Sequence, residues 1–559
     1  MSGLLIKNNL NNSVNTLVGA LNKYRNAFII SFILLLNLLI KGFYLDSNPI
    51  EMDEPFSIFY SQMGIRDIIT ELRGGNNPPL YEIFLHYWVK IFGISSFSVR
   101  FPSLIFGTLT VLFVFLISKR FFEFRVAILS SVLVSFSNYH MFFSHEARVY
   151  SLFVLLTTIS FYLFLLILEK KYSILNLSLL FITYVGLVFS HYFGIFIVIF
   201  QAVLITNFAY TRIDILKRYF TIIIALLLAY SYYIPIVFNK FLASTNNGTW
   251  LKPVENLGNL FDIIFLFSNS NRLVYLVYVL VIWAFVWKYF YLFLTKKYVK
   301  AICLFGIIPL FFLTSYSIFF KIPFFWKLTS SPIYIVGFIA LILIVYGYFV
   351  VKKYNQIQSN TIKFIIIGWF LVPLLLFFII SFKIPVFLDR YLIFIMPAFY
   401  MMLALSVNFL FQSRWYFNLV SVFLISITIF TFNLNVSNNR YANKIVNQTK
   451  LLKTSDTKII ICPNQYKLTF AYHYDIDSFK DVKNLILKLK KDKIFPVYNQ
   501  IELNKILKPT DDIVYLDAHA DFLYPKNGIL HKLKKTYDLK KKIVYQDSTI
   551  LYHFKSCKD

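Results

Sequence analysis

The sequence predicts an α-helical polytopic membrane protein that ends in a small extracytoplasmic α/β domain. Three observations carry that prediction. The 559 residues are 58% hydrophobic, with a mean hydropathy of +0.66, where soluble domains hold about 45–50% apolar residues. The excess is gathered in apolar runs long enough to cross a bilayer core of roughly 30 Å as helices. Beyond about residue 434 these runs stop, and short strand-like stretches alternate with Lys-rich segments.

The runs at Asn26–Leu45, Thr221–Phe238, Ser331–Val350 and Ile362–Ile380 are typical spans. A membrane β-barrel would alternate in polarity over strands of about ten residues, and these runs are solid. Counting them gives about 13 transmembrane helices, the third of which, near residues 125–138, is short. The first run has no small-residue cleavage site after it and reads as a signal anchor. Cys303, Cys462 and Cys557 are too far apart to suggest a CxxC site or a disulfide framework.

The formal net charge is +28. An acidic partner such as lipid phosphate is one reading; basic cytoplasmic loops and a Lys-rich composition are the plainer one. With no basic soluble domain carrying a recognition motif, nucleic acid is excluded as a partner. The basic loops hold Lys7, Lys23 and Arg25; Lys119, Arg120 and Arg125; Lys170 and Lys171; Arg212, Lys217 and Arg218; Lys296, Lys297 and Lys300; Lys352, Lys353 and Lys363; and Arg414. The positive-inside rule makes them cytoplasmic. The opposite set is then extracytoplasmic: residues 46–98 and the segments Ser144–Tyr150, Ser190–Tyr192, Thr249–Pro253 and Lys383–Tyr391. The amino terminus falls in the cytoplasm and the tail outside. The domains expected are a transmembrane region at 1–433, a polar linker at 434–457 and a soluble α/β domain at 458–559. Its strands are expected at Lys458–Cys462, Ile513–Leu516, Lys542–Tyr545 and Ile550–Phe554.

The first outer loop is the most informative stretch. It opens Asp46-Ser47-Asn48-Pro49-Ile50-Glu51-Met52-Asp53-Glu54-Pro55. Two adjacent carboxylates at a membrane interface are costly to desolvate, and a carboxylate can act as general base on an acceptor hydroxyl. The same residues also suit a helix N-terminus, since Asp-Glu-Pro can open one. Next, Gly74-Gly75-Asn76-Asn77-Pro78-Pro79-Leu80-Tyr81 makes a turn and starts a helix at about 79–92. Leu80, Phe84, Tyr87, Trp88 and Ile91 recur at helical spacing, with Glu82, His86 and Lys90 between them, so this helix should lie in the interface.

Asp53-Glu54, Asn77-Pro78-Pro79-Leu80-Tyr81 and Val99-Arg100-Phe101-Pro102-Ser103 together resemble the first outer loop of GT-C-type glycosyltransferases. The branch is that of the protein O-mannosyltransferases and the lipid A aminoarabinose transferases. Ser144-His145-Glu146-Ala147-Arg148-Val149-Tyr150-Ser151, Ser190-His191-Tyr192-Phe193 and Asp389-Arg390-Tyr391-Leu392 with Pro397 are similar to its later outer motifs. They occur in family order over about residues 45–400. One departure is Asn77, where related proteins often have His before the Pro-Pro pair; it weakens any claim that this corner binds metal.

The resemblance implies a GT-C-like fold and a polyprenyl-phosphate-linked sugar as donor, transferred with inversion to a hydroxyl at the outer face. Since the phosphate leaves as an anion without a proton, the site needs one base and a cationic clamp, unlike the two-carboxylate glycoside hydrolases. Asp53 is the implied base, and Glu54 orients it or binds the sugar. Arg390 is the implied phosphate clamp, since a guanidinium holds phosphate bidentately; its alternative is an interfacial anchor. Arg148 assists it or pairs with Glu146, and Tyr391 completes the phosphate end. Glu146, His191, Tyr192, Asn77 and Tyr81 are candidates for the sugar and acceptor pocket. No cofactor is certain, and a divalent metal stays open. Membrane lipids surround the protein, and the acceptor is a lipid, a protein or a cell-surface polymer.

In the tail, Asp517-Ala518-His519-Ala520-Asp521 has ligand types that suit a divalent metal, but it stands without a second Asp-rich motif and reads as a turn after a strand. The main rival function is a cell-envelope transporter or flippase. Transporters tend to carry inverted repeats and ionisable residues near the bilayer midplane; here the unusual ionisable residues gather on one face.

Overall fold

In a computed structural model, the described residues are 24–73, 75, 77–169, 171, 173–209, 212–247, 251, 253–254, 256–293, 359–437, 439–524 and 528–556. They form two compact units: Met1–Phe43, Leu104–Ser144 and Tyr150–Leu434 in one, and Tyr44–Ser103, His145–Val149 and Asn435–Asp559 in the other.

The first unit is helical. Among the described residues six helices are long and apolar enough to cross a membrane: Tyr24–Gly42, Ser96–Phe121, Tyr150–Leu168, Arg272–Tyr289, Thr361–Ile380 and Asp389–Leu410. Two bent pairs bring the number to eight if each is one span. The protein is therefore an integral membrane protein. The expected span Ser331–Val350 lies outside the described residues, as do Cys303 and the basic positions 7, 23, 170, 296, 297, 300, 352 and 353.

One expected span needs correction. Thr221–Phe238 is not continuous: Ile213–Tyr230 ends, and the chain turns by 79° into Ile234–Asn246. Pro235 is the reason, because it has no amide hydrogen and restrains the residue before it, so it suits the first turn of a new helix. The short third span is also bent, by 62° between Phe124–Ser135 and Asn138–Ser144. Backbone groups freed there must be satisfied without water. Asn269 does this: its Oδ1 accepts the Asn138 amide at 2.8 Å, and its Nδ2 donates to the carbonyls of Phe136 and Thr428 at 3.1 Å each. Asn269 sits at φ 56°, a left-handed conformation that Asn tolerates better than most residues. Elsewhere in this unit Tyr184, Gln201, Tyr219 and Ser160 form a buried hydrogen-bonded chain, and Trp369 stacks on Phe161 at 3.9 Å.

In the second unit the outer loop forms three helices, Glu54–Ser61, Ile65–Leu72 and Leu80–Phe92. The tail holds a five-stranded sheet in the order β2-β1-β3-β5-β4. The strands are β1 (Lys458–Cys462), β2 (Ile494–Pro496), β3 (Ile513–Asp517), β4 (Tyr537–Val544) and β5 (Ile550–Ser556). β1 pairs in parallel with β2 and β3; β5 is antiparallel to β3 and β4. Ile460, Cys462, Tyr515 and Phe554 pack in the core on one face. Three features differ from expectation. β2 has only three residues and ends in proline, too little for a period-2 signal. β4 begins at Tyr537, with a register shift between Leu539 and Lys541. The stretch read as a linker holds the helix Ala442–Leu452.

Candidate active site

The helix Glu54–Ser61 has two sides. Glu54, Ser57, Ile58 and Ser61 are buried, at the i, i+3, i+4 and i+7 spacing of one helical face. Asp53, Phe56 and Tyr60 follow the same periodicity on a less buried face, with the two rings 4.4 Å apart. Asp53 is the N-cap residue but makes no side-chain capping bond to the helix. Just before it, Met52 is held at φ 58°. A left-handed non-glycine residue is uncommon and persists only where its surroundings fix it.

The surroundings of Glu54 do fix it. Its Oε1 accepts Arg100 Nε at 2.8 Å and the Ala147 amide at 2.9 Å; its Oε2 accepts Arg100 Nη2 at 2.7 Å and Arg440 Nη1. Those four donors fill the roughly four lone-pair positions of a carboxylate. Arg100 is equally committed: its remaining hydrogens go to the carbonyls of Leu45, Asn48 and Pro49 at 2.8–3.0 Å. Burial alone would push the Glu54 carboxyl up, but Arg100 and then Arg440 outweigh it and hold it down at about 2. Glu54 is thus a permanent anion with no lone pair to spare.

Several other charged residues of this unit are paired nearby. Arg440 Nη2 pairs with Glu146 Oε1. Arg148 Nη1 donates to Ser57 Oγ, and Ser57 donates to Glu82 Oε1, each at 2.7 Å. Arg148 also lies 5.6 Å from the centre of the Phe56 ring. Glu51 accepts the amides of Tyr441 at 2.9 Å and Ala442 at 3.2 Å, capping the helix Ala442–Leu452. Burial raises both Glu51 and Glu82 above their ordinary values. Tyr81 is fully buried, its hydroxyl 3.5 Å from Ser103 Oγ, and burial raises it too. Asn77 is half-buried, and its Oδ1 has no hydrogen-bond partner among the described residues.

These directions predict an unusual acid response. Glu54, depressed to about 2, contributes stability that is present above its unfolded value of about 4.3 and is lost as pH falls through about 2. Glu51 and Glu82, being raised, have the opposite sign: each favours the folded unit at low pH and loses that contribution as pH rises. Melting of this unit, followed by the fluorescence that a Trp88→Phe variant lacks, is expected not to weaken between pH 7 and about 4.5. It should weaken steeply only below that. A midpoint of loss near pH 6 would contradict the assignment.

The other candidates lie in the helical unit. His191 ends the helix Ile174–Ser190 and is buried. Its ring stacks on Phe153 at 4.7 Å and meets Tyr391 edge-on at 5.6 Å, while its Nδ1 accepts the Phe193 amide. Tyr391 also packs edge-on against Phe193, and the Arg390 guanidinium lies 5.8 Å from the Tyr391 ring centre. The Tyr192 ring lies 5.1 Å from Lys240 Nζ. Hence Asp53, Glu54, Asn77, Tyr81, Glu146 and Arg148 belong to one unit, and His191, Tyr192, Arg390 and Tyr391 to the other.

Sequence reasoning did not single out Arg100 or Arg440 as site residues. Arg100 carried a signal, a charge at the start of a long apolar helix. Arg440 carried a subtler one: no arginine follows it in a tail whose other cations are lysines. Among the described residues no group of three or more His, Cys, Asp or Glu side chains is arranged to hold a metal ion. In the Asp517–Asp521 run the Asp517 carboxylate accepts the Ala520 amide at 2.9 Å, closing a turn.

Residues 76–238 match the family described as dolichyl-phosphate-mannose-protein mannosyltransferase. The matched stretch holds the motifs from Asn77 to Phe193. Among solved structures, ArnT from Cupriavidus metallidurans in the apo state is similar at 10% identity and a TM-score of 0.44, covering 94% of this chain and 97% of its own. The same enzyme bound to undecaprenyl phosphate gives 12% and 0.43, covering 94% and 97%. The oligosaccharyltransferase of Archaeoglobus fulgidus, in complex with zinc and sulfate, gives 13% and 0.42, covering 93% and 72%. No curated protein matches the chain.

Proposed function

We propose that this integral membrane glycosyltransferase moves a sugar from a polyprenyl-phosphate carrier to a hydroxyl acceptor at the extracytoplasmic face of the cell membrane. Asp53 is the general base. It takes the proton of the acceptor hydroxyl as the oxygen attacks the anomeric carbon and the polyprenyl phosphate leaves from the opposite side. One displacement of this kind inverts the anomeric configuration. The acceptor is a lipid, a protein or a cell-surface polymer hydroxyl reached from outside.

The observation that carries this reading is the contrast between two neighbouring acids. Glu54 is buried with about four donors on its carboxylate, which disqualifies it as a base. Asp53 lies on the less buried side of the same helix start, in a backbone turn held by its neighbours. A rigid support next to an accessible acid is what positioning a base demands. At the phosphate end the reading relies on Arg390, with the Tyr391 ring beside it and His191 packed against Tyr391.

Two measurements test it. With a radiolabelled polyprenyl-phosphate mannose as donor probe, the product's anomeric configuration should be opposite to the donor's; retention would overturn the single displacement. Arg390→Ala is expected to lower transfer by about 3–4 kcal/mol in the transition state, roughly 10²–10³-fold, by removing charge stabilisation on the departing phosphate. A loss confined to protein yield, with normal turnover per molecule, would assign Arg390 to anchoring instead.

A further inference from the structure

The segment that follows the last helical span grips the loop carrying Asp53 at several points. Asn48 Nδ2 donates to Asn435 Oδ1 at 2.6 Å. Glu51 caps the helix Ala442–Leu452. The Ile50 carbonyl is 2.7 Å from His473 Nε2, and the Tyr472 hydroxyl donates to the Ile94 carbonyl at 2.8 Å. Phe59 packs on Phe479 at 5.5 Å. At the centre, Arg440 is almost fully buried, with one nitrogen on Glu54 and the Pro49 carbonyl and another on Glu146.

We propose that Arg440 is a positioning residue for the reaction, fixing the Glu54 carboxylate and, through it, the backbone turn that presents Asp53; the tail is thereby a working part of the site. This rests on the reading of Asp53 as the base. Arg100 occupies only two of the lone-pair positions of Glu54, and Arg440 and the Ala147 amide fill the others. Without Arg440, Glu146 loses its cation while staying buried, and a buried charge stripped of its partner forces its surroundings to move or takes up a proton. The helix start at Asp53-Glu54 is the element that Arg440 holds, with Met52 in a left-handed conformation directly before it. An arginine suits the position and a lysine does not: the fork reaches two carboxylates at once, which a single ammonium does with less geometric control.

The test compares full-length wild type, Arg440→Gln, Arg440→Lys and Asp53→Asn in membranes, with radiolabelled polyprenyl-phosphate mannose as the probe. Arg440→Gln should lower kcat by about 10²-fold, the scale of a misplacement near 1 Å, while KM for the donor changes little. Arg440→Lys should recover part of that loss. The pH profile supplies a readout that simple destabilisation does not move. With one cation fewer beside it, Glu54 takes up a proton more readily, so Arg440→Gln should lose activity on acidification at a higher pH than wild type does. Besides Arg100 and Arg440, the groups whose charge reaches Glu54 are Tyr81, Tyr472 and His473, with Glu51 and Glu146 acting on Arg440 itself. The tyrosines stay neutral throughout, and burial pushes His473 down. An Arg440→Gln enzyme with wild-type kcat and an unmoved acid limb overturns the proposal. If Asp53→Asn transfers as wild type does, the reading of Asp53 fails; if wild type does not transfer mannose, the donor carries another sugar. Amide exchange then decides the positioning role: Arg440→Gln must accelerate exchange at Glu51–Glu54 and Ala147 by at least about tenfold while leaving Ile459–Ile461 unchanged. Equal exchange overturns it.

Discussion

Asp53→Asn is expected to abolish transfer, by about 10²–10⁴-fold, while the protein inserts, folds and binds donor as wild type does. The substitution keeps the size of the side chain while removing its charge and its ability to take a proton. Asp53 makes no side-chain cap to its helix. The neighbouring change, Glu54→Gln, should behave in the opposite way. It replaces an acceptor-only group with an amide whose NH₂ would point at Arg100 or Arg440, leaving donors facing donors in a buried site. Loss of turnover with normal stability at Asp53, and loss of stability at Glu54, separates the two acids. Side-by-side melting and turnover of the two proteins, purified in one detergent, reads the distinction.

Arg100→Ala is expected to produce the largest stability effect, about 3–5 kcal/mol in the unit that holds the outer loop, the size measured when one partner of a buried ion pair is removed. All the guanidinium hydrogens are used: two on Glu54 and three on the carbonyls of Leu45, Asn48 and Pro49. Deleting it takes two of the donors from a buried carboxylate and strands three carbonyls. Arg100→Lys keeps the charge but offers three donors on one nitrogen, too few and too close together for these partners. It should retain only part of the lost stability. Thermal unfolding in detergent, followed at Trp88, measures both. A melting temperature within a degree or two of wild type for Arg100→Ala would mean that water or another cation replaces the fork.

The long helices were legible because a run of apolar residues has few other solutions in a bilayer; Tyr150–Leu168 and Ser359–Ile380 leave no choice. The break after Tyr230 was not read, because hydropathy averages over Ser231 and Pro235 while backbone geometry does not. Two helices of the outer loop were anticipated from Asp-Glu-Pro and from the apolar spacing after Pro79. That Asp53 and Glu54 would have such different surroundings was not visible in two adjacent letters. The difference is set by contacts from Arg100, Ala147 and Arg440, which lie 46, 93 and 386 residues from Glu54. Arg440 was passed over because an Asn-rich polar stretch after the last span has the composition of a linker. What composition cannot show is that Glu51 accepts the amides of the helix beginning two residues later. In the tail, β1, β3 and β5 were found because each is a β-branched or apolar run, whereas β2 is too short to carry a pattern.

If Asp53 does the chemistry of an envelope glycosyltransferase, losing that one carboxylate and losing the whole protein leave the same mark on the envelope. The most direct measurement is mass spectrometry of envelope proteins, lipids and surface polymers from three strains: wild type, a deletion, and Asp53→Asn at normal membrane abundance. The deletion and the point mutant are expected to lose the same sugar from the same acceptor. An Asp53→Asn strain whose envelope glycans match wild type, beside a deletion that loses them, would contradict that role of Asp53 and turn attention to transport rather than transfer.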